Sequence, residues 1–125
     1  MAYRIESKSA FSETVIISGR GWSNLKVKVS ISTDAMVNNV KPLGDELMRT
    51  GKAYSAEIGD APEKFIAFTK ALDAIFALIF GAKNYQKVLK YYDGEYLEMA
   101  ADLTPFVRDC VIPAAVKTAS DRARL

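Results

Sequence analysis

The sequence predicts an α+β fold: an N-terminal β-hairpin, residues 1–33, packed with a mainly helical C-terminal body of four to five helices, residues 34–125. Three features carry that expectation. Leu25-Lys26-Val27-Lys28-Val29-Ser30-Ile31 alternates apolar and polar without a fault, the period of a half-buried strand. From about Asp34 onward the apolar spacing changes to three and four, the period of helices. Asp60-Ala61-Pro62-Glu63 then combines a capping residue, a first-turn proline and a capping-box acid. A chain of 125 residues has core enough for one domain, 1–125, and would be cramped as two.

Thr14-Val15-Ile16-Ile17 is a β-branched run suited to the first strand, and Leu25–Ile31 is the second. Between them Ser18–Asn24 holds Gly19 and Gly21, which supply positive φ for a turn. A two-stranded hairpin alone is only marginally stable. It therefore requires a helix against its apolar face, or strands from a neighbouring subunit.

Ser32, Thr33 and Asp34 are each suited to cap the first helix. Ala35, Met36, Val40, Leu43, Leu47 and Met48 form its apolar stripe, and Pro42 predicts a break near Val40 or Lys41. Gly51 reads as a stop, with residues 52–59 as a connector. The helix opened by Asp60 runs to Phe80 and ends at Gly81. Phe65, Phe68, Leu72, Ile75, Phe76 and Ile79 line one face, and Leu78 and Phe80 make its last two turns apolar almost all round. Such a helix end is buried in the centre of the domain or under a partner, and one small domain is expected to leave part of it uncovered.

Asn84 is placed to cap a helix from Tyr85 to Tyr92, which Asp93-Gly94 terminates. Glu95 opens another, carrying Leu97, Met99 and Leu103, and Thr104-Pro105 restarts or kinks it. Phe106, Val107, Cys110, Val111 and Val116 continue the stripe, Pro113 bends it, and Lys117, Arg122 and Arg124 suit its C-terminal pole.

Half the residues are hydrophobic, which excludes disorder as the dominant state. There is no histidine and one cysteine, so a His-based triad, a His-ligated metal, a zinc finger and an intramolecular disulfide are excluded. A net charge of +2 does not argue for a nucleic-acid partner. Arg4, Glu6 and Lys8 interrupt any secretory apolar region, and the longest apolar run, Ala74–Phe80, falls far short of the roughly 20 residues of a membrane span. A soluble, cytoplasmic protein is expected.

Among possible sites, Glu95, Glu98 and Asp102 stand at i, i+3 and i+7 on one helix face, able in principle to hold a hard cation or to serve histidine-free hydrolysis. The same spacing is that of a solvated acidic face, and no EF-hand-like loop accompanies it. Gly19-Arg20-Gly21-Trp22 lacks the frames of phosphate-binding loops and reads as a hairpin turn, with Trp22 as a contact point at its tip. Lys83, Lys87 and Lys90 interleave with Tyr85, Tyr91 and Tyr92, a pattern of single-strand nucleic-acid binding that is here a small footprint beside acidic residues. Cys110, flanked by Val107, Val111 and Ile112, reads as a buried inert thiol. No catalytic residue, cofactor or metal site emerges.

The succession Ile75-Phe76-Ala77-Leu78-Ile79-Phe80-Gly81, a short helix, Tyr91-Tyr92-Asp93-Gly94-Glu95-Tyr96-Leu97-Glu98-Met99, then Leu103-Thr104-Pro105-Phe106 and Val111-Ile112-Pro113 resembles a known family. It is similar to the C-terminal part of the tail assembly chaperone-like proteins of Gram-positive siphophages and prophages, over about residues 62–116. The resemblance implies a viral, non-enzymatic protein in the bacterial host cytoplasm. It would form a homo-oligomer and hold a phage tail protein, such as the tape measure, before tube polymerisation. The alternative is a small phage or mobile-element protein that binds and regulates one host protein stoichiometrically. Both readings rest on apolar protein–protein contact, for which Trp22, Phe76, Ile79, Phe80, Tyr91 and Tyr92 are the expected residues, with no nucleic-acid or membrane partner.

Overall fold

Strands β1 (Phe11–Ile17) and β2 (Leu25–Ile31) form an antiparallel hairpin with Phe11 opposite Ile31, Thr14 opposite Lys28 and Ile17 opposite Leu25. The computed structural model describes residues 2–4, 9–19, 21, 23–56 and 62–123. The turn residues Arg20 and Trp22, the capping residue Asp60 with residues 57–59, and Arg124 lie outside them. β1 begins three residues before the β-branched run, where the Phe11 ring meets Phe106 edge-on at 6.1 Å. In β2 the alternation holds as expected: Val27, Val29 and Ile31 are buried, while Lys26, Lys28 and Ser30 are exposed.

The helical body starts at α1 (Thr33–Asn38), capped by Ser32, whose hydroxyl accepts from the Ala35 N–H at 3.2 Å. Asn39 alone separates it from α2 (Val40–Ala56). Pro42 falls in the first turn of α2, where its missing N–H leaves no helical bond unmade, so the break precedes the proline by three residues. Gly51 does not stop this helix, contrary to expectation. It lies against the Phe68 ring, and a Cβ built there would stand 3.1 Å from Phe68 Cε1. Its small size serves helix packing, and the first half of the expected connector, through Ala56, is helical.

α3 (Pro62–Phe80) and α4 (Ala82–Tyr91) are joined by Gly81 alone, at φ 78°, a backbone state that disfavours any side chain. Consequently α4 starts before Asn84, which does not cap it; the Asn84 amide instead donates to the Lys28 carbonyl of β2 at 3.4 Å. Asp93 (φ 54°) and Gly94 (φ 73°) end α4 through left-handed conformations, as their sequence implies.

α5 (Tyr96–Phe106), a π-helical turn (Val107–Val111) and α6 (Ile112–Arg122) form one continuous rod. The expected restart at Thr104-Pro105 does not occur. Met99, Leu103, Val107, Val111 and Ala115 are buried at a constant spacing of four. That spacing runs ahead of a 3.6-residue turn, and the wider π turn sets the drift back, keeping all five on one face. Burial of this stripe outweighs the backbone bond that Pro105 removes, and the irregularity expected at Pro113 is taken up by the π turn just before it.

One apolar core joins both strands to every helix. β2 lies over α3, and α2 packs along α3, so Leu72, Ile75, Phe76 and Ile79 are enclosed from both sides. Among the described residues, the five helical rods and the hairpin form the α+β arrangement that the change of period predicts. No helix among the described residues is long and apolar enough to cross a membrane.

Candidate apolar binding groove

Five of the six expected contact residues are core residues. Phe76 and Tyr92 are 0% exposed, Ile79 1%, Phe80 4% and Tyr91 7%, all enclosed by this chain itself. The physical reason is the hairpin: β2 covers the apolar end of α3, which the periodicity of α3 alone could not reveal. Phe76 packs its ring between those of Phe80 and Tyr85, at 6.1 and 6.2 Å. The Tyr91 and Tyr92 rings meet edge-on at 5.4 Å. These five side chains are therefore held inside this chain, and Trp22 is outside the described residues.

The polar candidates are likewise placed by packing. Lys83, Lys87 and Lys90 are exposed on α4, while Tyr85, Tyr91 and Tyr92 turn inward, so no interleaved basic–aromatic surface forms. Asp102 accepts the Tyr92 hydroxyl at 2.9 Å. Glu95, Glu98 and Asp102 are exposed, and among the described residues no group of three His, Cys, Asp or Glu could hold a metal ion. Cys110 is exposed, contrary to expectation, because the π turn directs it outward beside the Arg108–Asp109 pair. A part-buried polar cluster centres on Asp73, whose Oδ1 accepts from the Tyr85 hydroxyl at 2.5 Å and the Tyr96 hydroxyl at 2.9 Å. These bonds tie α3 to α4 and α5. Burial and the adjacent carboxylate together push both tyrosines above their ordinary range, Tyr85 the more strongly.

The best-formed apolar concavity runs between α2, α3 and α5, with a volume of about 470 Å³. From α2 come Leu47, Met48, Gly51, Lys52, Tyr54 and Ser55; from α3, Phe68; from α5, Leu97, Ala100, Ala101 and Thr104. Gly51 leaves the Phe68 ring open to the groove, and Tyr54 stacks on that ring at 5.8 Å and 13°. Tyr54 also leans on Phe65 at 5.3 Å, which fixes the wall. Opposite, Ala100 and Ala101 keep the α5 wall low, and Leu97 stands at the lip, 50% exposed. Among the described residues that line the groove, Lys52 is the one charged residue, and they hold no acid–base pair. The groove can take up a short row of apolar side chains, as grooves between helices do.

Sequence reasoning missed this groove because its walls come from three separated helices. One signal was available. Leu97 and Met99 are two residues apart on a helix and cannot share a face; once Met99 and Leu103 turn inward, Leu97 must face out.

No known protein family, curated protein or solved structure matches this chain.

Proposed function

We propose that this chain is a non-enzymatic assembly chaperone or adaptor of the phage-tail type, acting in the bacterial cytoplasm. It self-associates and holds an apolar segment of a tail protein, such as the tape measure. The observation that supports this reading best is the α2–α3–α5 groove, whose lining is apolar apart from Lys52, Ser55 and Thr104. Apolar contact suits a chaperone because it is strong and tolerant of the client's sequence. The class of client is suggested only by the residue pattern over about 62–116, which resembles that of tail assembly chaperone-like proteins.

The test is co-expression with the tape-measure protein of the same genome, followed by purification through a tag on the client. The expected result is a soluble complex that Leu97→Asp disrupts, since a charge at the lip opposes entry of an apolar segment. Failure of the wild-type chain to co-purify overturns the reading. Stoichiometric binding to one host protein, with none to the tape measure, would establish the alternative in its place.

A further inference from the structure

We propose that β1 is a pairing edge for the β1 strand of a second copy of this chain, antiparallel and two-fold symmetric about Thr14. The inference rests on the self-association part of the proposed function and uses none of the groove residues.

The first ground is the direction of the backbone groups. Asn84, on a helix that packs against β2, donates to the Lys28 carbonyl. The ladder closes on Phe11–Ile31 and Ile17–Leu25, with no backbone bond between Ala10 and Ser32 or between Ser18 and Asn24, so these end pairs are hydrogen-bonded. Lys28 and Thr14, three steps from each end, therefore form a non-hydrogen-bonded pair, and the Lys28 carbonyl is turned away from β1. In antiparallel strands the alternation then directs the N–H and C=O groups of Ser12, Thr14 and Ile16 outward from the free edge of β1. Among the described residues none hydrogen-bonds to these groups.

The second ground is electrostatic self-complementarity. A two-fold axis at Thr14, the middle residue of the strand, sets Thr14 against Thr14 of the second copy and Ser12 against its Ile16. Each of these three symmetric pairs exchanges two backbone bonds, so every outward donor meets an acceptor. The one charge in β1, Glu13, falls opposite Val15 of the second copy, and no like charges face each other directly. Threonine opposite threonine is a favourable cross-strand pair, and Ile16, 61% exposed in the single chain, gains a neighbouring strand.

The third ground is that β1 carries few of the devices that keep edges apart, Glu13 being its one charge. Phe11-Ser-Glu-Thr-Val-Ile-Ile has no proline and no lysine, and its pairing with β2 runs through seven positions without a bulge. A marginal two-stranded hairpin becomes the four-stranded sheet β2-β1-β1-β2.

The experiment uses the full chain. Light scattering should give a dimer, or a larger assembly built from dimers, for the wild type, and Thr14→Pro should reduce it by breaking this contact. That substitution removes an N–H from the free edge and leaves the β1–β2 ladder intact, so circular dichroism should be unchanged. In a Cys110→Ser background, Thr14→Cys should form a covalent dimer under mild oxidation. Hydrogen-bonded antiparallel pairs place Cα atoms about 5.5 Å apart, within disulfide reach. Ser12→Cys should not link to itself, being four positions out of register. A monomeric wild type, an assembly unaffected by Thr14→Pro, or equal linking by the two cysteine variants overturns the proposal. Loss of client binding with the Thr14 cross-link retained would instead count against the groove.

Discussion

The Tyr85 hydroxyl donates to Asp73 Oδ1 at 2.5 Å, joining α4 to the middle of α3 across twelve residues of chain. Tyr96 donates to the same oxygen from the start of α5. Tyr85→Phe should lower stability by about 1–2 kcal/mol, the usual loss for a buried bond to a charged acceptor. Tyr96→Phe should cost less, because Tyr96 is only half-buried. Asp73→Ala should cost more than either, since it strands both hydroxyls. Denaturant unfolding of the three variants checks the order.

The same cluster predicts alkaline sensitivity. Tyr85 is raised by burial first and then by Asp73, so the folded state holds its proton more tightly than the unfolded chain, whose tyrosines titrate near 10. Its contribution to stability is complete below that pH and falls as pH rises above it. Tyrosinate absorbance should show Tyr85 ionising together with alkaline unfolding. Ionisation of Tyr85 ahead of unfolding, at an ordinary tyrosine pH, would contradict this.

Gly44 sits where α2 crosses the start of α6, and a Cβ there would stand 2.6 Å from Ile112 Cδ1 and 3.1 Å from Cγ1. Gly44→Val should destabilise by about 1–3 kcal/mol through overpacking. Combining it with Ile112→Ala should recover part of that loss, a coupling that a double-mutant cycle of melting temperatures would reveal.

Phe76 belongs to the core, and Phe76→Ala should cost about 3–5 kcal/mol. Its effect on client binding should follow the unfolded fraction alone. Binding measured at low temperature, where the variant remains folded, should match the wild type.

Local signals read well from residue order because their causes are local. The alternation of Leu25–Ile31, the start at Pro62, the end of α3 at Gly81 and the stop at Asp93-Gly94 each depend on near neighbours. Gly51 and Pro105 misled because tertiary packing decides them: a Phe68 ring occupies the space beside one, and a buried stripe from Met99 to Ala115 carries the helix through the other. Burial of Phe80 and Tyr92 depends on which element covers α3 and α4, information spread across the whole chain. The groove has the same character, with Met48, Phe68 and Ala101 meeting only after three helices pack.

Leu97, at the lip of the groove, gives the most direct measurement: calorimetric titration of the tape-measure protein of the same genome with wild-type chain and with Leu97→Asp. A client held in the groove predicts binding to the wild type and affinity at least about tenfold weaker for the variant, a difference of about 1.4 kcal/mol, at an unchanged melting temperature. Equal affinity of the two proteins, or no binding by the wild type, would contradict it.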